Sequence, residues 1–444
     1  MDLLTALQLG AVPRVAFVGA GGKTTAMFQL ARQLAGPVLV TATTHLALDQ
    51  LGLADRHFEV HTPTEVRTHA GELSGVTLFS GPPRDDARVS GLDVDTVNEV
   101  FRLAKERQLP LLLEADGSRR LPLKAPAAHE PPIPEFVDTV VVVVGLLGLG
   151  KPLNAGYVFR PELFGALAGI NPDAIMDSTA LVKVLASPEG GLKNIPVTAR
   201  KAALLNQADT PELAAQASRI AHSLERIYQS VLVAALTPPD GSPGGVKAVH
   251  QPIAGIVLAA GGSVRLGEAK QLLEWRGKSF IRSVTETALQ AGLSPVVVVV
   301  GAYVEEIKPE IADLDVEIVY NLDWEVGQSS SVKAGLAALP ERSGGAVFLL
   351  VDQPQIPPAL VRTLVARHAA TLAPIIVPEV DGRRGNPVLF DRVTFPNFAT
   401  LEGDVGGRAV FKKHPLEYVP WVDPVVGLDV DTLLDYQKLI QYED

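Results

Sequence analysis

The chain has 444 residues, 47% of them hydrophobic and 20% charged, the balance of a globular protein long enough for two or three separate cores. A formal net charge of -11 argues against a nucleic-acid partner, because a phosphate backbone is held by an excess of Lys and Arg. Cysteine is absent, which removes disulfides, thiolate metal sites and cysteine nucleophiles. No basic segment precedes an apolar one after Met1-Asp2-Leu3, and the longest apolar run, Val140–Gly150, falls far short of the ~20 residues that cross a bilayer. A cytoplasmic protein without membrane contact is expected.

In chain order, Val15–Val18 reads as a buried strand that runs into Gly19-Ala20-Gly21-Gly22-Lys23-Thr24-Thr25, followed by a helix from about Ala26 to Leu34. Backbone amides and a helix N-terminus favour phosphate in such a turn. Lys23 adds charge, and Thr24 offers a hydroxyl to magnesium. The nucleotide-binding candidates here are Gly19, Gly21, Gly22, Lys23 and Thr24. The loop is shorter than a usual P-loop, since Phe17 stands where the first glycine belongs, and a purely structural turn is the plain alternative. His57 and His61 lie four apart but lack the His-Glu-x-x-His pattern, so they read as surface histidines. After the strands Val38–Thr41 and Leu111–Leu113 comes Glu114-Ala115-Asp116-Gly117-Ser118-Arg119-Arg120. Carboxylates at a strand end suit magnesium, with Asp116 the candidate ligand, while Arg119, Arg120 and Lys124 suit an anion. Val140–Val144 is another strand, and an alanine-rich stretch from Pro211 to about Leu236 reads as one long helix. The run from Thr237 to Gly245 is rich in proline and glycine. Residues 1–236 are therefore expected to form one domain, 237–252 a linker, and 253–444 a second domain.

The second part repeats the alternation, with strands at Ile256–Leu258, Val296–Val300, Val316–Val319, Val347–Val351 and Ile375–Val377. Near-continuous apolar strands separated by helices imply sheets covered on both faces, so the fold class is α/β, two three-layer α/β/α domains. Ligands in such sheets sit beyond the C-terminal strand ends. There the sequence reads Ala259-Ala260-Gly261-Gly262-Ser263-Val264-Arg265-Leu266-Gly267-Glu268-Ala269-Lys270. Small residues let main-chain amides approach phosphate oxygens, which makes Ala260, Gly261, Gly262, Ser263 and Gly267 nucleotide-binding candidates. Arg265 is suited to pair with a triphosphate, and Lys270 to place charge on the phosphorus under attack. Asp352, after Leu349-Leu350-Val351, is the candidate magnesium ligand. Asp429 and Asp431 read as helix-capping residues before Leu433-Leu434.

The pattern from Leu258 to Lys270 resembles the signature of the MobA-like nucleotidyltransferases. So do Asn321 to Ser331, Val351-Asp352-Gln353-Pro354, Gly385-Asn386-Pro387-Val388 and Gly403 to Arg408, a resemblance that spans residues 253–444. It implies a Rossmann-like, GT-A-like transferase domain with magnesium on Asp352. Asp429-Val430-Asp431-Thr432 resembles the family's C-terminal Asp-x-Asp-Thr stretch, which implies, equally well with helix capping, that one of the two aspartates is a second metal ligand. It also implies an acceptor side that includes Ser329, Ser330, Gly385, Asn386, Gly406 and Arg408. The Ala-Ala-Gly opening and Gly-Asn-Pro-Val look more like the CTP-using branch, the cytidylyltransferases of the molybdenum cofactor. The N-terminal stretch, with Glu114 to Pro126, His129-Glu130-Pro131 and Gly150 to Asn154, resembles the YqeC family over roughly residues 10–236. That family is linked to maturation of selenium-dependent molybdenum hydroxylases. The implied partners are CTP, molybdopterin, a second nucleotide at the P-loop-like N-terminal domain, and an apo molybdenum hydroxylase. Rival readings are a GTP or sugar-phosphate transferase of the same fold, and a molybdopterin-carrying chaperone with an idle transferase site.

Overall fold

The computed structural model describes residues 1–263 and 266–442. The chain divides into two compact units, Met1–His250 and Gln251–Asp444. No helix among the described residues is long and apolar enough to cross a membrane.

The first unit is built on strands Arg14–Gly19 (β1), Val38–Ala42 (β2), Arg56–Glu59 (β3), Val76–Ser80 (β4), Leu111–Glu114 (β5), Thr139–Gly145 (β6), Arg200–Asn206 (β7), Ser230–Ala235 (β8) and Gly245–His250 (β9). They form one sheet in the order β9-β8-β7-β6-β1-β5-β2-β4-β3, parallel throughout except that β9 runs antiparallel to β8. Every residue of β6 is buried, as its valine run requires. The helix Lys23–Gln33 follows β1 through the glycine turn and packs on β1 and β5.

Two expectations change here. The stretch from Pro211 is a helix only to Leu224, after which Ser230–Ala235 is a strand. Val231 and Val233 are β-branched and pair in register beside Ala203 and Leu205, which outweighs the helical preference of the alanines. The segment read as linker supplies β9, which covers the edge of the sheet, and the chain divides after His250. His57 lies exposed on β3 with Nε2 2.8 Å from Ser80 Oγ, as a surface histidine.

The second unit contains Ile253–Ala259 (β10), Val296–Val300 (β11), Glu317–Tyr320 (β12), Gly345–Leu350 (β13), Ile375–Val380 (β14), Arg383–Arg384 (β15), Val388–Asp391 (β16) and Leu416–Pro420 (β17). The sheet runs β12-β11-β10-β13-β16-β14-β15, with β17 pairing β14. Strands β10 to β13 are mutually parallel and β16 is antiparallel to both neighbours. Alternate residues go to two cores. Val257, Val298 and Val347 pack with the helices Phe280–Gln290 and Pro358–Thr371, whereas Ile256, Val297 and Phe348 pack with Gln328–Ala337 and Phe398. The sheet is thus covered on both faces, the three-layer α/β/α arrangement expected of it. The C-terminal ends of the parallel strands β10, β12 and β13 lie on one side of the sheet, and the glycine-rich turn, Asn321 and Asp352 follow these ends in turn.

Candidate functional site

In the second unit the turn after β10 is shaped by one buried amide side chain. Gln271 Nε2 donates to the carbonyls of Ala259 (2.9 Å) and Gly261 (2.8 Å), and Gln271 Oε1 accepts from Ser263 Oγ (3.3 Å). Ser263, at φ 51°, also accepts the main-chain N–H of Lys270 at 3.0 Å, so its side chain closes the loop. Ala260 turns its methyl into the core and leaves only main chain for a ligand. A Cβ on Gly261 would meet nothing within 4 Å, which leaves that face open. Gly262 lies under the indole of Trp324, and Gly267 takes φ 81°. Arg265 lies outside the described residues.

Lys270 projects from this turn onto acidic side chains. Its Nζ is 3.1 Å from Asp352 Oδ2 and 2.8 Å from Asp431 Oδ1. Burial works against the ammonium, yet Asp352 and Asp431 outweigh it and push its pKa up. Burial pushes the Asp352 carboxyl up, against the pull of Lys270. Asp429 is also pushed up, first by burial and then by the Asp352 carboxylate, while Arg408 is near enough to oppose this. Oδ1 of Asp352 is buried with no hydrogen-bond partner. An orphaned carboxylate oxygen beside two further carboxylates is the donor set a hard divalent cation takes. As placed, no three His, Asp or Glu side chains among the described residues converge closely enough to hold an ion, and Lys270 neutralises the group instead.

The acceptor-side candidates separate into two kinds. Ser330 Oγ accepts from Asn321 Nδ2 (2.8 Å) and shares its hydrogen between the carbonyls of Asp323 (2.9 Å) and Gly327 (2.8 Å). Ser329 is buried and its N–H donates to the Gly403 carbonyl at 3.2 Å. Both serines therefore hold the 321–331 loop in place, around Asn321, which sequence reasoning did not single out. Gly406 lies against Gln328, where a Cβ would stand 2.3 Å from Oε1. Gly385 is tied by its N–H to the Pro378 carbonyl at 2.9 Å, and Asn386 is half-buried beside it. Arg408 is exposed.

In the first unit the glycines are required by geometry. Gly19, Gly21 and Gly22 take φ of 96°, 79° and 122°, and a Cβ on Gly19 would stand 2.2 Å from the Val143 carbonyl oxygen. The cradle is narrower than expected. The N–H of Gly19 donates to Asp116 Oδ1 (3.0 Å), that of Ala20 to Val143 (2.8 Å) and that of Gly21 to Leu121 (3.1 Å). The main-chain donors this turn leaves open are therefore the amides at the start of the helix Lys23–Gln33, which have no partner within it. Lys23 is buried, with Nζ 2.8 Å from the Gly19 carbonyl, 3.4 Å from Glu114 and 3.5 Å from Asp116.

Asp116, the expected magnesium ligand, carries a lysine as placed. Its Oδ2 accepts from Lys124 Nζ at 2.7 Å, and Lys124 also pairs with Glu130 at 2.9 Å. The carboxylate beside Thr24 is Glu114, whose Oε2 accepts the threonine hydroxyl at 2.6 Å. Two carboxylates lie close together at this strand end, and only the fold tells them apart. Arg120 pairs with Asp49 at 2.7 Å, while Arg119 and Arg160 both lie over the Phe159 ring, 4.9 and 4.2 Å from its centroid.

Comparison with known proteins finds two matches in order along the chain. Residues 15–162 match the YqeC protein family model, and residues 255–418 match the MobA-like NTP transferase domain. The uncharacterized protein YqeC of Escherichia coli (strain K12) is 31% identical over 230 residues, 50% of this chain and 87% of that protein. Nicotine blue oxidoreductase of Paenarthrobacter nicotinovorans is 33% identical over 197 residues, 42% of this chain and 96% of that protein. Among solved structures, Rv0371c from Mycobacterium tuberculosis H37Rv is 31% identical with a TM-score of 0.39, covering 43% of this chain and 98% of that one.

Proposed function

The chain belongs to the YqeC family in its N-terminal unit and to the MobA-like NTP transferase family in its C-terminal unit, and from this we propose that it is a molybdenum cofactor cytidylyltransferase. The C-terminal unit moves CMP from CTP to the terminal phosphate of molybdopterin. An acceptor phosphate oxygen attacks the α-phosphorus, the bond to the β-phosphate breaks, and pyrophosphate leaves. The observation that carries this reading is Lys270, held between Asp352 and Asp431 at the mouth of the glycine turn.

The side chains divide the work. Main-chain groups of Gly261 and Gly262, fixed by Gln271, approach the triphosphate closely because no side chain intervenes. Lys270 exchanges its carboxylate partners for an α-phosphate oxygen, where its charge offsets the negative charge of the five-coordinate phosphorus. Asp352 and Asp429 would hold Mg2+, and the orphaned Oδ1 of Asp352 supports that fit. A bound Mg2+ supplies charge neutralisation across the triphosphate. The loops around Asn321, Gly385-Asn386 and Gly406–Arg408 line the acceptor side. CTP and molybdopterin rest on the Ala-Ala-Gly and Gly-Asn-Pro-Val segments. The N-terminal unit is an accessory nucleotide-binding domain, with Lys23, Thr24 and Glu114 at its phosphate turn, acting with an apo molybdenum hydroxylase in the cytoplasm.

The test is pyrophosphate release from CTP, GTP and ATP, each with molybdopterin and Mg2+. CTP-dependent release supports the proposal, and release with GTP or with a sugar phosphate alone points to another transferase of this fold. A second reading comes from the relative named as an oxidoreductase. Redox turnover without pyrophosphate release would favour that reading over this one.

A further inference from the structure

Asp352 and Asp429 come from segments far apart in the chain, and two glutamines tie those segments together. Gln353 Nε2 donates to Asp429 Oδ1 at 2.5 Å. Gln355 Nε2 donates to the carbonyls of Leu428 (2.7 Å) and Val425 (3.1 Å), and the N–H of Val430 donates to the Asp352 carbonyl at 3.1 Å. Both glutamines are buried, with 2% and 8% of their surfaces exposed, and each leaves its Oε1 without a hydrogen-bond partner. A buried acceptor left unpaired is destabilising. An apolar side chain would fill the same space without that cost, so the amide N–H of Gln353 has a use beyond packing.

We propose that Gln353 is a positioning residue that aims the Asp429 carboxylate at the divalent cation held by Asp352, while Gln355 fixes the 425–430 segment that carries it. This rests on the cation reading given above. A neutral amide is the suitable tether. It holds one carboxylate oxygen by a hydrogen bond and leaves the charge of the group for the cation, whereas a lysine in its place would compete with the ion.

The test uses the full chain and Mn2+ alone, with the free ion read by its EPR signal. Losing an outer partner of a ligand lowers metal affinity by roughly 10–100-fold. Gln353→Leu, which keeps most of the volume and removes the donor, is expected to weaken Mn2+ binding by roughly tenfold or more. Gln353→Asn, too short to reach Asp429, is the second variant and should lose affinity likewise. The double variant Gln353→Leu/Asp429→Asn should bind Mn2+ no more weakly than Asp429→Asn alone, because both changes act through one carboxylate. Unchanged affinity in both glutamine variants, with Asp352→Asn abolishing binding, would overturn the positioning role and leave the cation site standing. Additive losses in the double variant would overturn it too. Wild-type protein that retains no Mn2+ would remove the cation reading and this inference together.

Discussion

A single methyl group at Gly262 probes how the nucleotide turn is seated. A Cβ there would stand 2.9 Å from Cζ3 and 3.0 Å from Cη2 of Trp324, where carbon atoms ordinarily rest about 3.5–4.0 Å apart. The indole has little room to retreat, because its Cβ and Cγ lie 2.6 and 2.7 Å from where a Cβ on Gly301 would be. The ring is thus held between two glycines, and the exposed turn is the softer partner. Overpacking of this kind costs about 1–3 kcal/mol. If the turn absorbs it, the main chain of Gly261 and Gly262 moves off the triphosphate, and KM for CTP rises by roughly 5- to 150-fold, at 1.4 kcal/mol per decade. The assay is steady-state pyrophosphate release against CTP concentration, with kcat read separately and a thermal melt as control. Trp324→Leu removes the clashing ring, so Gly262→Ala/Trp324→Leu should recover most of the loss. A Gly262→Ala variant with wild-type KM, or a double variant no better than the single one, would refute the reasoning.

Other expectations follow from individual contacts. Thr24→Val keeps the shape and removes the donor to Glu114, leaving a buried carboxylate one partner short; a melt should show the N-terminal unit weakened by about 1–3 kcal/mol, with transferase kinetics unchanged. Burial pushes the Glu225 carboxyl up to about 7, and the charge of the neighbouring Arg226 does not offset it. The folded state then binds the proton more tightly than the unfolded chain, so this group's contribution to stability falls as pH rises from 4.5 to about 7. Glu225→Gln should therefore be more stable than wild type by on the order of 1–3 kcal/mol near pH 8, and should converge with it below about pH 4, as read by denaturant melts. Asp352 and Asp429 are both pushed up by burial, so protons compete with the cation above the ordinary carboxylate range. Mn2+ affinity of the full chain should begin to drop while the pH is still above the ordinary carboxylate range, and a profile flat down to that range would contradict this.

The strands were legible because a parallel sheet buried on both faces demands unbroken apolar runs, and Val140–Val144 or Val296–Val300 fit nothing else. Both glycine turns were legible because only small residues satisfy their backbone angles and close approaches. The strand Ser230–Ala235 was hidden, since alanines carry no β signal of their own and pairing with β7 decides the outcome. The amide ties were hidden for another reason. Gln271, Gln353 and Asn206 have no characteristic spacing, and Asn206 Nδ2 reaches the Gly21 carbonyl across 185 positions of chain. Asp116 was preferred to Glu114 because both are carboxylates at one strand end; the alternation of side chains stops with the strand at Glu114, so sequence could not show which of them meets Thr24. Ser330 was an acceptor-side candidate through the resemblance of the segment 321–331, and only the fold reveals that its hydroxyl accepts from Asn321 and donates to the carbonyls of Asp323 and Gly327.

The most direct measurement is a crystal structure of the full chain with CTP and Mg2+. The account predicts the triphosphate over Gly261 and Gly262, Mg2+ on Asp352 and Asp429, and Lys270 moved from the two carboxylates to an α-phosphate oxygen. Lys270 still bridging Asp352 and Asp431, with the nucleotide bound elsewhere, would contradict it.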